Sequence, residues 1–304
     1  MQGFFFHSEI FLNSRVSPAF EIIPHPETGT PRAKLIVYYN NSEAFSPWQA
    51  GFGGIELANE ATEEHIKAII FKLDQFAPKF NCQTIRITQY PACYDGRVGL
   101  VNSLLLQSGY KAVFADVNFH LPLFETGSAL NFRKGLSTAY RWKLNRLENE
   151  GFTFQINPNP DLEMVYSFLL ESRQRKGFIL AQTEDSFLQM FRNLPRVYTV
   201  FDVFAPDGHL AAQGVGLALS DSGYYLFYTA DHLHYRKHSP VLLLHQGVYN
   251  FAQEQKYLFL DLGTASLSGK INTGVAQFKA GMGALRSEKI TFLKNFSWFK
   301  PNFS

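Results

Sequence analysis

Charge is scarce in this chain of 304 residues. Asp, Glu, Lys and Arg make up 18% of it, and the net charge is +2. So small a surplus excludes a general polyanion binder, and any grip on phosphate must come from a local cluster. Cysteine is scarcer still: Cys82 and Cys93 are the two present, in no metal-ligand spacing. They are either free thiols of a reducing compartment or one disulfide. No stretch approaches the ~20 apolar residues of a membrane span. The first residues, Met1 to Glu9, lack the basic and long apolar segments of a secretion signal. These absences predict a soluble, cytoplasmic protein with no transmembrane segment. Neither a Gly-x-Ser-x-Gly elbow nor a P-loop occurs. His232, His234, His238 and His245 lie close in sequence, but no carboxylate joins them at ligand spacing, so no metal is expected.

What the chain has in quantity is apolar and aromatic side chains, 46% and 15%. That composition is globular, excludes disorder, and suits thick sheet cores. Strands are predicted over 19–23 and 34–39, with turn chemistry at Pro24, Pro26, Gly29 and Pro31 between them. Gly51 to Leu57 is either a backbone approach site for a ligand or a bulge before a strand. Ile66, Ile69, Ile70 and Leu73 recur at helical spacing after Thr62, and Pro78 should end that helix. A strand over 82–89, a helix over 98–108 and a strand over 111–121 complete a β-β-β-α-β-α-β first half.

Residues 130–150 predict one basic amphipathic helix carrying Arg133, Lys134, Arg141, Lys143 and Arg146. It is either a solvated connector or a basic wall facing a phosphorylated substrate. The second half starts afresh with helices over 161–176 and 186–193, the latter stopped before Pro195. Strands follow over 197–204, 209–219 and 224–230. A helix over 241–255, a strand over 257–262, a segment 271–283 and a last strand over 287–293 close the chain. The fold class expected is α/β with mixed sheets: two similar units, 1–130 and 157–304, joined by a connecting helix in 131–156.

The stretch 239–283 gathers the candidate chemistry. A basic loop, His234-Tyr235-Arg236-Lys237-His238, precedes Ser239-Pro240, which reads as an N-cap and first helical residue. A turn is expected at 263–266. Beyond it comes Gln277-Phe278-Lys279-Ala280-Gly281-Met282-Gly283. Lys279 is either a surface lysine on a short helix, with Phe278 in the core, or a cation that polarises a carbonyl. Arg173, Arg175 and Lys176 end a helix, where positive charge suits the helix dipole whatever else it does. Tyr228 sits at the end of a strand, either in the core or with its hydroxyl in a cleft.

The order α-α-β-β-β-α-β-α-β resembles that of the GCN5-related N-acyltransferase (GNAT) fold. Two such units, the basic helix between them and the terminal Phe278-Lys279 with Gly281 and Gly283 resemble the FemABX peptidyltransferase-like family and its BioF2-like acetyltransferase relatives. Ser239-Pro240, the strand ending near Asp261 and Gly263, and Arg173 to Phe178 carry the likeness over 160–293; over 1–130 it rests on pattern. The resemblance implies an acyltransferase that moves an acyl or aminoacyl group to a small-molecule or peptide amine. In the family an aminoacyl-tRNA donates to a peptidoglycan precursor, which would make tRNA a partner and link the chain to the cell envelope. Lys279 would steady the oxyanion, at a cost in turnover but little in stability when removed, and Phe278 would line the channel. Arg236, Lys237 and Ser239 are the donor-binding candidates; Arg141, Arg173, Lys176 and Tyr228 are those for the acceptor. No permanent cofactor is implied; acyl-coenzyme A or aminoacyl-tRNA is the co-substrate. GNAT enzymes grip coenzyme A through a glycine-rich loop that is glycine-free here, and Pro240 has no N–H to offer. A non-catalytic double-GNAT scaffold for a phosphorylated ligand, and an acetyl-coenzyme A-dependent N-acetyltransferase, are the alternatives.

Overall fold

The computed structural model describes residues 4–13, 18–40, 42–180, 182–194 and 197–296. Its main elements, in chain order, begin with strands β1 (Ala19–His25), β2 (Ala33–Tyr39) and β3 (Glu43–Ser46), helix α1 (Glu63–Lys79), strand β4 (Thr84–Thr88), helix α2 (Val98–Gln107) and strand β5 (Lys111–Pro122). Then come helices α3 (Phe132–Gly135) and α4 (Thr138–Asn149), strand β6 (Thr153–Asn157), and helices α5 (Leu162–Arg175) and α6 (Glu184–Asn193). Strands β7 (Tyr198–Phe204), β8 (Leu210–Ala218) and β9 (Gly223–Asp231) precede helix α7 (Pro240–Glu254), strand β10 (Phe259–Thr264), helix α8 (Thr273–Gly281) and strand β11 (Leu285–Asn295). Pro195, the expected stop of α6, lies outside the described residues.

The chain divides into two compact units. One takes residues 1–118, 266–271 and 287–304; the other takes 119–265 and 272–286. These edges differ from the division expected at 130 and 157. Residues 131–156 fall inside the second unit, and most of β11 falls in the first.

In the first unit the strand order is β1-β2-β3-β4-β11-β5. The β1–β2 and β2–β3 pairs are antiparallel, β3–β4 is parallel, and β11 joins β4 antiparallel. Helix α1 buries Ile66, Ile69, Ile70, Leu73 and Phe76 in the core, the stripe its 3–4 spacing demands. It runs past Pro78, against expectation. In the last turn a proline removes one N–H, and Phe80 and Cys82 recover the local carbonyls by donating to Phe76 O (3.1 Å) and Ala77 O (2.8 Å). The glycine run is packed, irregular backbone leading into a two-residue strand, Glu56–Leu57. A Cβ on Gly54, which has φ +91°, would stand 2.2 Å from Gln89 Oε1, so its backbone is close to a buried side chain of its own unit. Cys82 and Cys93 are free thiols.

In the second unit the order is β10-β9-β8-β7-β6, antiparallel except for the parallel β9–β10 pair. Helix α7 buries Leu242, Leu244, Val248 and Ala252 against β7, β8 and β9. Its apolar side chains lie along more than one stripe, which marks an interior helix. The expected single helix over 130–150 is two helices, broken at Leu136-Ser137. Ser137 Oγ caps α4 by accepting from Tyr140 N, while Ser137 N donates to Gly281 O (2.9 Å). Much of the expected basic wall is paired with its own acids. Arg133 meets Glu148, and Arg146 Nε donates to Glu150 Oε1 (2.6 Å).

The break explains the terminal glycines. Gly283 has φ +80°, and a Cβ there would lie 2.7 Å from Gly135 O; one on Gly281 would lie 2.7 Å from the Tyr140 ring. Both glycines therefore let the end of α8 sit directly on the α3–α4 corner.

Candidate functional site

Strands β9 and β10 run parallel for three residue pairs: Gly223 with Phe259, Tyr224 with Leu260, and Tyr225 with Asp261. Beyond that register β9 continues to Asp231 and β10 to Thr264. Parallel strands that stop pairing while both continue open a wedge, and backbone groups at its mouth need other partners. Lys279, reaching from α8, supplies one. Its Nζ donates to Gly263 O and Thr264 O, both at 2.9 Å, and the residue is 7% exposed. The strand itself runs two residues further than expected, through Gly263 and Thr264. Asp261 Oδ1 accepts from Gly263 N (2.8 Å) and fixes the backbone there.

Neither reading of Lys279 as a surface lysine nor of Phe278 as core survives. Lys279 is buried, and Phe278 is half-buried, its ring 5.7 Å from that of Tyr140 and 5.4 Å edge-on from that of His245. His245 was noted in the sequence only as one of four histidines. Its Nδ1 lies 2.7 Å from Val241 O, so Nδ1 carries the proton and Nε2 keeps its lone pair. Burial lowers its pKa to about 4, and the charge of Lys279 adds to the shift. The imidazole is therefore neutral at pH 7.

A bulge at Phe227 interrupts the pairing of β8 with β9 and resets the alternation of β9. Tyr224, before it, packs edge-on against Phe251 of α7. Tyr228, after it, points to the α5 side: its hydroxyl bonds Gln182 Oε1, and the Arg173 guanidinium lies 5.7 Å over its ring. Burial pushes the Tyr228 hydroxyl up to about 12, against the lowering charge of Arg173. Tyr228 and Arg173, both acceptor-side candidates, thus form one contact.

Lys176 is committed elsewhere. Its Nζ donates to Asp231 Oδ1 (2.5 Å), an oxygen it shares with Arg175 Nη2 (2.9 Å) and Ser172 Oγ (3.1 Å). Burial would raise the Asp231 pKa, but the bond and charge of Lys176, with Arg175, hold that carboxyl below its usual range. Arg236 Nε stands 4.0 Å from the other Asp231 oxygen, with its side chain 60% exposed. Lys237 is exposed, and so is Arg141, whose Nη2 donates to Thr138 Oγ1 (3.4 Å) on its own helix. Ser239 holds the N-cap position of α7 without capping it. Its backbone is left-handed (φ 64°, ψ 49°), and its Oγ accepts from Lys143 Nζ (3.4 Å) instead. Sequence reasoning missed Asp231; a lone acid closing an apolar strand before a basic loop was the available signal.

No family model matches the sequence, and no curated protein does. The fold has clear relatives among solved structures. A crystal structure of FemX superposes with a TM-score of 0.68 over 92% of this chain and 89% of that one, at 13% identity. The chain has the fold of FemX. L-PGS from Bacillus licheniformis shares that fold with a TM-score of 0.59 over 92% of this chain and 85% of its own, at 15% identity. A tandem GNAT protein from the clavulanic acid biosynthesis pathway matches at 0.50 over 92% and 84%, at 12% identity. Coverage of 92% of the chain carries the FemX likeness well into residues 1–130, where the sequence offers pattern alone. Among the described residues no helix is long and apolar enough to cross a membrane.

Proposed function

We propose that the chain is an N-acyl- or aminoacyltransferase whose chemistry lies at the mouth of the β9–β10 wedge. The observation that supports this most is Lys279, buried and anchored by two carbonyls at the end of β10. In the reaction a neutral amine attacks the carbonyl carbon of the donor. A tetrahedral oxyanion forms and collapses, the bond to the donor's oxygen or sulfur breaks, and that leaving atom takes up the proton the amine gives up. Lys279 acts as the fixed positive charge that the oxyanion meets, a role worth ~3–4 kcal/mol of barrier for one well-placed donor. Phe278 and Tyr140 wall the approach. His245, neutral, lends its Nε2 lone pair and adds no second positive charge beside Lys279.

The entry to α7 favours aminoacyl-tRNA over acyl-coenzyme A as donor. Ser239 N already donates to Arg236 O (3.0 Å), Leu242 N to Ser239 O (2.9 Å), and Pro240 has no N–H. A pyrophosphate there would meet the side chains of Arg236 and Lys237 rather than a nest of amides. Arg173 and Tyr228 form the acceptor side. A peptidoglycan precursor, or another amine of cell-envelope metabolism, is the acceptor class this reading assigns.

The test is a transfer assay with labelled acetyl-coenzyme A and, separately, a pool of charged tRNAs, each offered to a panel of amines. Label moving from the charged tRNAs to an amine supports the reading. Transfer from acetyl-coenzyme A alone replaces it with a coenzyme A-dependent N-acetyltransferase. Binding of either donor without transfer points to a scaffold that has lost its chemistry.

A further inference from the structure

A cavity of about 400 Å³ opens between α5 and the outer strands of the second unit. That volume lies in the range of small-molecule sites. Its walls are apolar and aromatic: Val165 and Phe168 from α5, Phe204 from β7, Leu210 from β8, with His232 and Tyr235 beyond β9. The Phe168 and His232 rings lie nearly parallel, 18° apart with centroids at 6.5 Å.

Polar groups close the cavity at Gln213, which lines it and is 4% exposed. Gln213 Nε2 donates to Asp202 Oδ1 (2.8 Å). A carboxylate only accepts, so the amide orientation is fixed and Oε1 is the atom at the other end. Among the described residues Oε1 is buried with no hydrogen-bond partner. Native proteins rarely leave such an acceptor orphaned, and its residue lines the cavity. Behind it, Asp202 is 2% exposed and takes amide N–H groups on both oxygens, the second from Asn157 Nδ2 (2.7 Å). The Asp202 carboxylate therefore lies one amide away from the empty acceptor.

We propose that this cavity binds a small organic amine: an ammonium group donating to Gln213 Oε1, carried on a ring or short apolar body held by the aromatic walls. The Asp202 carboxylate and the π-faces of Phe168, Phe204 and Tyr235 both favour a cation over a neutral donor. No lysine or arginine lines the cavity, while Asp161 does, beside His209 and His232, so the fixed charge on its wall suits an amine better than an anion. The site stands independently of the transferase reading, since none of its residues belongs to the wedge around Lys279.

Calorimetry of the full chain with 2-phenylethylamine, and with 2-phenylethanol as its uncharged twin, tests the proposal. The amine should bind saturably and the alcohol at least ~10-fold more weakly. Leu210→Trp, which fills the cavity from its half-buried wall and leaves Gln213 untouched, should weaken the amine at least ~10-fold. Gln213→Leu should do the same if it folds; if it does not, Leu210→Trp decides. Absence of saturable amine binding up to about 10 mM, equal binding of the alcohol, or unchanged binding by folded Leu210→Trp overturns it.

Discussion

Two lysines of the second unit are held by different kinds of oxygen. Lys279 gives hydrogen bonds to the carbonyls of Gly263 and Thr264 at a strand end. Lys176 gives one to the Asp231 carboxylate, which Arg175 also shares. Carbonyl dipoles orient an ammonium and leave its charge to act on what comes near. A carboxylate orients it and neutralises it. The difference separates a lysine held at a strand end, the one proposed to meet a developing oxyanion, from one that ties a helix end to a strand. From the sequence alone, both were candidates for contact with substrate.

The strongest way to break this distinction is at Asp231. Asp231→Ala strips the counter-charge from Arg175 and Lys176 and should cost about 3–5 kcal/mol of unfolding free energy, seen in urea denaturation. Lys176→Met, in contrast, should cost no more than about 1 kcal/mol, because that side chain is 30% exposed and Arg175 remains. A large Lys176→Met effect beside a small Asp231→Ala effect would reverse the roles given to the pair.

The next test uses pH. The folded-state pKa of His245, about 4, lies below its ordinary 6.5. Below pH 6.5 the unfolded chain therefore binds a proton that the folded one refuses. The stability contributed by neutral His245 is full above about pH 6.5 and is lost as pH falls toward 4, on the order of 3 kcal/mol. Denaturation curves across that window should show the decline, and His245→Phe should flatten it. Asp231 acts in a lower window. Its folded pKa is depressed, so its contribution is full above the unfolded value of about 4 and is lost as pH falls further.

Gly283→Ala should cost about 2 kcal/mol, since alanine at φ +80° is strained and its Cβ would meet Gly135 O. A neutral result in thermal unfolding would mean that the α3–α4 corner yields easily. The smallest expected effect is the most discriminating. Lys279→Met should raise the His245 pKa by less than about one unit in an NMR titration, since burial is the larger cause of its depression. Lys176→Met should leave that pKa unchanged.

Much of this was legible in the sequence, and the misses have physical reasons. The Ile66-Ile69-Ile70-Leu73 stripe marked α1, and the 241–255 apolar run marked α7 to within a residue at each end. The Phe-Lys-x-Gly-x-Gly pattern drew attention to α8. Local periodicity could not show that Leu136-Ser137 breaks a helix, because the break answers to Gly281 and Gly283, far along the chain. Nor could it place β6, a short strand whose partner β7 is distant. Lys279 is buried and Phe278 half-buried, against the reading of a surface lysine beside a core Phe, because neighbouring helix positions face different ways and strand-end carbonyls make a buried place for an amino group. The pairing of Lys176 with Asp231 and the orphaned acceptor on Gln213 depend on side chains 55 or fewer positions apart, which no local pattern joins. The removal of Lys279, expected from sequence to spare stability, should instead cost about 1–3 kcal/mol, because two inward carbonyls lose their donor.

The central claim is that Lys279 presents a fixed positive charge to a developing oxyanion, and single-turnover transfer measures it directly. Wild-type, Lys279→Arg and Lys279→Met proteins are compared at saturating donor and amine, each first shown to be folded and to bind donor. The account predicts a loss of about 10²–10³-fold in the transfer step for Lys279→Met, with donor affinity unchanged and partial recovery in Lys279→Arg. Transfer by folded Lys279→Met at the wild-type rate would contradict it.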